Sequence, residues 1–364
     1  MTARLRSGAR KILSRESYGE VAANVRSHLP KLDKMSLLFF ISMTIIVVIA
    51  VVVRILPLRW SFTLSEFDSY FHFYMTRYIA EHGFFSWPNW HIDTMWFPQG
   101  RDVAYMSFPG FAMTGAALYL VLTSLGLSVS VMDVTVIFPV VFAAITCIIT
   151  YYLGKEVGGR AVGLLSALFL AISAAYISRT TLGFYKDETV GVFGIVLSSL
   201  FYLRSLSTKS KWQVSLAYAF GAGISLGFVF ASSGISRYLL SLLVLFTFFV
   251  FVAKKYSRRL LISYGTLISV GLFMAVEVPK LGFKFIREFE PVAAIGVFLL
   301  LAVFELSRYF SEQRRRTFLV LSLAGLGGIV FILWQINFIS LPLGKFIAVL
   351  NPFARTSSPI LMSV

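Results

Sequence analysis

Long apolar runs, each about the length of a membrane crossing and parted by short basic loops, dominate this chain. The first, 35–56, is long enough to cross about 30 Å of hydrocarbon as a helix. Others cover 110–127, 131–153, 161–177, 190–203, 214–231, 238–253, 260–276, 292–306 and 318–336. A chain built this way can only be a helical bundle in lipid, because helices pair their own backbone groups where no water is present. Only 14% of the 364 residues are charged, against about 25% in soluble domains. That excludes a soluble enzyme, a disordered protein and a disulfide scaffold. The fold class is therefore an all-α, multi-span membrane bundle.

The net charge is +16, from 33 Lys+Arg against 17 Asp+Glu. In a soluble protein this excess points to nucleic acid. Here the basic residues cluster between apolar runs, the mark of loops kept on the cytoplasmic side. The first 34 residues are polar and basic and lack a signal-peptide pattern, which puts the N-terminus in the cytoplasm. The basic loops 155–160, 204–211, 254–259 and 308–316 return to that side if 110–127 stays on the outer face as a shallow helix. The count is then nine spans within 35–364, with the C-terminus outside. Three outer segments result: 57–109, 178–188 and 337–364. The single cysteine, Cys147, lies in an apolar run and cannot form an intrachain disulfide. Gly221, Gly223 and Gly227 suit close helix packing.

Acidic residues are scarce, so their places carry information. Asp68 stands in Ser65-Glu66-Phe67-Asp68-Ser69-Tyr70-Phe71-His72. Ser65 or Asp68 could cap a helix running through Met75 and Tyr78 to a close at Gly83. The second acidic segment is Ser178-Arg179-Thr180-Thr181-Leu182-Gly183-Phe184-Tyr185-Lys186-Asp187-Glu188-Thr189. Its carboxylates would face the positive end of the next helix. Alternatively, Asp187 or Glu188 joins Asp68 around a hard divalent cation, Mn²⁺ or Mg²⁺, which prefers oxygen ligands. Both readings stand on the residues alone. Carboxylates at a membrane edge are costly unless paired or used.

The run Glu66 to His72 with Thr76-Arg77-Tyr78-Ile79 resembles the first acidic motif of oligosaccharyltransferase catalytic subunits. Asn89-Trp90-His91-Ile92-Asp93-Thr94-Met95-Trp96-Phe97-Pro98-Gln99-Gly100-Arg101 looks like the aromatic and Pro-X-Gly-Arg stretch of the same loop. Ser178 to Glu188 resembles the second acidic motif, and Thr356-Ser357-Ser358-Pro359 with Ser363-Val364 resembles the start of the SVxE motif. The matches run in order through the whole chain, and the His and basic details look archaeal (the dolichyl-phosphooligosaccharide–protein glycotransferase type). The resemblance covers the family's N-terminal membrane portion. It implies a GT-C type fold and transfer of an oligosaccharide from a polyprenyl (dolichyl) phosphate or diphosphate carrier to asparagine in N-X-Ser/Thr sequons. The implied partners are the lipid-linked donor, the acceptor polypeptide and membrane lipids, at an active site on the outer face of the cell membrane.

By residue, the resemblance implies that Asp68 binds the metal and helps hold the acceptor amide. Glu188 falls on the last acidic position of the second motif and is an implied metal ligand. The first acidic position is Lys186 here, a departure from the pattern, and Asp187 at the middle position is a candidate substitute. Glu66 begins the first motif without an assigned role, as do Ser363 and Val364 in the third. The sequence stops before the SVxE glutamate, so the family's later spans and its outer soluble domain with a WWDYG motif are expected to be absent, leaving a fragment or truncated product. Arg179 and Arg355 are candidate contacts for the carrier phosphate, against ordinary interface anchoring. His72, His82 and His91 lack zinc spacing, and Trp87, Trp90 and Trp96 read as loop core or interfacial belt. The rival readings are another lipid-phosphate-sugar glycosyltransferase, such as a protein O-mannosyltransferase, and a transporter or scaffold. A transporter would need ionisable groups or broken helices at mid-span, and the runs are nearly free of such groups.

Overall fold

A computed structural model describes residues 34–208 and 211–339. The expectations placed on the basic N-terminal segment, Arg355, Ser363 and Val364 lie outside these residues. The chain divides into a unit that ends at Ile45 and a second that runs from Ile46 onward. The site lies wholly in the second.

Helix α1, Lys34–Ile55, is the first apolar run, and Pro57 turns it into a short 3₁₀ segment, Leu56–Arg59. Helix α2, Phe67–His82, closes at Gly83, whose φ of 85° suits a residue without Cβ. Its N-cap residue is Glu66, with no side-chain cap bond. The sequence pointed to Ser65 or Asp68 instead. Asp68 sits inside the first turn, where its charge favours the helix dipole and its side chain is free for a distant partner.

Beyond α2, strands β1 (His91–Ile92) and β2 (Arg101–Asp102) pair antiparallel, followed by α3, Val103–Met106. Met75, Ile79, Trp87, Trp90, Ile92 and Val103 form a core of their own beneath this long connection. Tyr78 stacks on Trp90 with ring centres 3.8 Å apart. Trp87 and Trp90 are thus core, while Trp96 is exposed.

Helix α4, Pro109–Ser124, has 16 residues, about 24 Å at 1.5 Å per residue. It buries Phe111, Ala112, Gly115 and Ala116. Helix α5, Val131–Ile172, opens with a capping box from Ser130 and Asp133. It breaks at Gly158 and Gly159, where φ/ψ leave the helical region, so the apolar runs 131–153 and 161–177 fall on either side of the break. Then follow α6 (Ala174–Ser178), α7 (Glu188–Leu206), α8 (Trp212–Ser232), α9 (Ser236–Val252), α10 (Arg258–Val276), α11 (Phe289–Ser307) and α12 (Glu312–Gln335). Among the described residues, seven helices have the length and apolarity to cross a membrane, and α4 and α9 are shorter apolar helices.

The principal core lies between α7, α8, α9, α10 and α11, built on residues such as Leu226, Phe230, Leu240 and Leu267. Glycines permit the approach: a Cβ at Gly223 would come within 2.9 Å of the Leu267 carbonyl, and one at Gly227 within 2.6 Å of the Met274 Cβ.

The connections gather at two ends. At one, Arg204 Nε lies 2.8 Å from Glu156 Oε1, Arg259 bonds the Ser207 carbonyl, and Tyr256 donates to Glu305 at 2.8 Å. The basic loops 155–160, 204–211 and 254–259 thus meet, close to the start of loop 308–316. The other end holds 57–108, 178–188, 232–237 and 277–290.

Candidate active site

Three backbone bonds bring the acidic segments together. Leu182 N–H donates to the Arg54 carbonyl at 2.9 Å, Gly183 N–H to that of Val136 at 3.0 Å, and Ser65 N–H to that of Gly183 at 3.1 Å. The turn before α7 is therefore pinned between α1, α5 and the residue that precedes α2. Gly183 has a φ of 82°, and a Cβ there would strike the Thr63 carbonyl. Only glycine fits both the backbone and the gap.

Side chains reinforce the turn. The Arg54 guanidinium is buried at the end of α1, where it donates to Thr180 Oγ1 at 2.8 Å and to the Ala171 carbonyl at 3.0 Å. No sequence pattern marks this, because Arg54 hides in an otherwise apolar run. Tyr185 is fully buried, and its hydroxyl lies 2.9 Å from Thr76 Oγ1 on α2. Gly115 on α4 leaves the room for that ring.

This scaffold directs Lys186 at Asp68. The ammonium is 2.7 Å from Asp68 Oδ2 and 3.7 Å from Glu66 Oε2. Such a charge-assisted bond contributes about 1.5–3 kcal/mol when sheltered. Burial alone would push the lysine down, but its bond to Asp68 and the charges of Glu188, Asp68 and Glu66 outweigh that and hold it above the usual lysine range. The residue that departs from the motif thus sits among the acids the motif supplies.

Glu188 starts α7, accepts from Arg179 Nη1 at 3.4 Å, and keeps Oε2 buried without a hydrogen-bond partner. Arg179, a candidate phosphate contact, is engaged with this carboxylate. Among the described residues, no three His, Cys, Asp or Glu side chains are gathered closely enough to hold a metal.

A cleft of about 910 Å³ opens over this cluster, lined by Asp68, His72, Arg101, Lys186, Asp187 and Lys280, with Trp96, Phe71 and Phe108 on its apolar wall. Burial pushes the His72 imidazole below its ordinary range. Lys186 and Arg101 push the same way, and the charges of Asp187 and Asp68 oppose. His72 is therefore neutral near pH 7. His82 stacks on Tyr78 and His91 binds Asp102, so the three histidines are kept apart in separate roles. The cleft also takes in Lys280 and Ser232, two residues the sequence did not single out. Neither stands in a motif that would mark it.

The family model described as oligosaccharyl transferase STT3, N-terminal, matches residues 37–360. The chain is 32% identical over 357 residues to the dolichyl-diphosphooligosaccharide–protein glycosyltransferase subunit STT3B of Oryza sativa subsp. japonica, a match covering 94% of this chain and 48% of that protein. It thus spans about half the length of this curated relative. The crystal structure of the apo Archaeoglobus fulgidus oligosaccharyltransferase superposes with a TM-score of 0.68 at 16% identity, over 93% of this chain and 41% of that one. The same enzyme with Zn and sulfate gives 0.65 at 17% identity, over 81% and 40% of the two chains. The archaeal oligosaccharyltransferase AglB from Archaeoglobus fulgidus in complex with an inhibitory peptide and a dolichol-phosphate gives 0.62 at 17%, over 86% and 39%. The shared fold is the GT-C type, an all-α membrane bundle.

Proposed function

Because the chain belongs to the oligosaccharyl transferase STT3 family, we propose that its cleft is the transfer site of a membrane glycosyltransferase. The reaction moves an oligosaccharide from a polyprenyl phosphate or diphosphate carrier to the asparagine of an N-X-Ser/Thr sequon. One observation carries this reading. Asp68 and the second acidic segment, far apart in sequence, meet at one cleft whose lining also supplies cations and aromatic rings. An amide is a poor nucleophile. Asp68 accepts from its NH₂ group and aims the nitrogen at the anomeric carbon, so that the new C–N bond forms as the C–O bond to the carrier phosphate breaks. The amide proton leaves to solvent or to a carboxylate. Neither the O-mannosyltransferase nor the transporter reading has the support of the family match.

A divalent cation belongs to the same proposal, since one solved relative is a complex with Zn. Asp68, Glu188 and Asp187 are hard oxygen donors that suit Mn²⁺ or Mg²⁺, and the orphaned Oε2 of Glu188 is in want of a partner. These three are not gathered around one point as they stand; they would hold the ion if Lys186 released Asp68 and the carboxylates drew together, and the ion would then neutralise charge that develops on the leaving phosphate. The His and basic residues of the first outer loop support an archaeal source. The grouping of basic loops at the opposite end supports nine spans, a cytoplasmic N-terminus and a cleft on the outer face.

The test is transfer of glycan from purified lipid-linked donor to an N-X-Thr peptide by the protein that carries this chain. Asp68→Asn is expected to lower the rate about 10²–10³-fold, and an unchanged rate rejects the assignment. In a Cys147→Ala background, a cysteine at Phe283 should react with an impermeant thiol reagent and one at Lys254 should not. The reverse result overturns the orientation.

A further inference from the structure

The basic end of the bundle keeps no buried side-chain atom without a partner among the described residues. What it leaves over is charge on its surface. The connections 254–259 and 308–316 hold eight Lys and Arg against one acid, Glu312. Glu305, in the last turn of α11, is already taken: the Tyr256 hydroxyl donates to its Oε2 at 2.8 Å and Arg308 Nη1 at 3.2 Å. Lys254, Lys255, Arg258, Arg314 and Arg316 are exposed, and among the described residues none of them forms an ion pair with a carboxylate.

Side chains tie the two connections into one shelf. The Phe304 ring centre lies 5.2 Å from that of Phe251 and 4.8 Å from that of Tyr256. Arg315 rests over Phe304, its guanidinium carbon 5.3 Å from the ring centre, and its Nε donates to Ser307 Oγ at 3.3 Å. As structure, several of these cations are badly placed. Arg258 opens α10, and Arg314, Arg315 and Arg316 stand near the start of α12, where positive charge works against the helix dipole. Holding a loop on one side of a membrane asks only for basic residues near the helix ends. The C-terminal ends of α9 and α11, in the same two connections, would take them without that cost. Beside the shelf the surface turns apolar. Phe249 and Val252 at the end of α9 and Leu306 at the end of α11 are exposed, and Tyr309 and Phe310 follow at 76% and 45% exposure. An anion answers the cations, and a hydrocarbon chain answers the flank. A soluble polyanion, RNA included, would answer the cations alone.

We propose that this shelf binds an anionic phospholipid, with its headgroup phosphate among Lys254, Lys255, Arg258, Arg314 and Arg316 and its acyl chains along the exposed flanks of α9 and α11. Basic pockets between membrane helices suit such headgroups, and each Lys or Arg near an anionic lipid surface contributes about fivefold in affinity. The arginines offer forked donors to phosphate oxygens, and the lysines supply point charges. The site lies at the opposite end of the bundle from the cleft and stands apart from the transfer reading.

The experiment uses the purified full-length protein that carries this chain, titrated with phosphatidylglycerol, phosphatidylcholine or glycerol phosphate and followed by native mass spectrometry. Phosphatidylglycerol is expected to bind about tenfold more tightly than phosphatidylcholine, with the preference shrinking as salt screens the surface. The pair Lys254→Gln with Lys255→Gln, and the pair Arg314→Gln with Arg316→Gln, should each lower that preference about threefold. All four together should leave it within about twofold of unity. Lys284→Gln, an exposed lysine at the other end, should change it less than twofold. Unfolding temperatures within about 2 °C of the parent, the scale of a small stability change, show that the variants fold. Should the fourfold variant not fold, the two pairs and the salt series decide the matter. Equal binding of the two lipids, or a preference indifferent to these substitutions, overturns the proposal and leaves the cations to topology alone. Glycerol phosphate bound as tightly as phosphatidylglycerol overturns the lipid assignment, since the chains then add nothing. An RNA oligonucleotide held through the same residues, without a preference between the lipids, overturns it as well.

Discussion

The two ends of the helix bundle both carry charged side chains and treat them differently. At the basic end, Arg204 closes on Glu156, Tyr256 and Arg308 close on Glu305, and Arg259 closes on a backbone carbonyl. At the cleft end, Lys186 holds Asp68, yet Arg101, His72, Glu66, Glu188 and Ser232 each keep a buried polar atom without a hydrogen bond. All the unpartnered buried side-chain atoms among the described residues come from 54–101, 176–188 and 232. The basic end has none. One end has its interior finished, and the other is left with buried capacity for a ligand. Leaving polar groups unsatisfied costs about 1–3 kcal/mol each, a cost that folding alone would not retain at one place.

The sharpest way to break this contrast is at the turn that positions the cleft. Gly183→Ala places a Cβ against the Thr63 carbonyl at a φ of 82°. The expected loss is about 1–3 kcal/mol of stability, read as an earlier thermal transition. Ala at Gly296, where a Cβ meets nothing within 4 Å, should cost about 0 to 0.5 kcal/mol. Equal effects at the two positions would mean that the turn is not held as described.

Lys186 offers the next test. If its ammonium competes with a divalent ion for Asp68, Lys186→Ala should tighten Mn²⁺ binding about tenfold, or ~1.4 kcal/mol, by titration calorimetry. An unaltered or weaker affinity would show that the lysine is no competitor. A smaller effect is expected at the basic end. Arg204→Ala removes a half-exposed pair with Glu156, costs about 0–1 kcal/mol, and leaves donor binding alone. A loss of donor binding there would erase the distinction between the ends.

How much of this could be read from sequence follows from the same physics. Apolar runs locate helices because lipid leaves the backbone no other choice, and Gly158-Gly159 marks the break in α5. Asp68 and the Lys186–Glu188 run stand out because acids are rare in such a chain. Lys280, Ser232 and Arg54 do not stand out. The meaning of each depends on what folds against it, which no local pattern shows. The cap of α2 was misplaced for a related reason. Asp68 has a local use as a cap, but its partner Lys186 lies in another loop, and local rules weigh only the neighbours in sequence.

The smallest expected effect concerns pH, and it again separates the ends, because the described histidines, His72, His82 and His91, all lie toward the cleft. His91 Nδ1 is 2.5 Å from Asp102 Oδ1 across the β1–β2 pair, and Asp93 lies 3.4 Å from Nε2. The bond to Asp102 raises the imidazole above its usual range, with desolvation opposing and the charges of Asp102 and Asp93 adding to the rise. A raised folded-state value means that the ion pair supports the fold fully below the unfolded value, about 6.5, and that this support is lost as pH climbs through the higher folded value. The Val103 amide, which donates to the Trp90 carbonyl at 3.1 Å, reports on the same clip. Its hydrogen-exchange protection, corrected for intrinsic rate, should fall roughly twofold between pH 6 and 8, the scale of an exposed pair. Amides of α10 at the basic end should hold constant. A His91→Gln protein that shows the same fall would trace it to some other group, and a fall in α10 as well would show that the two ends do not titrate separately.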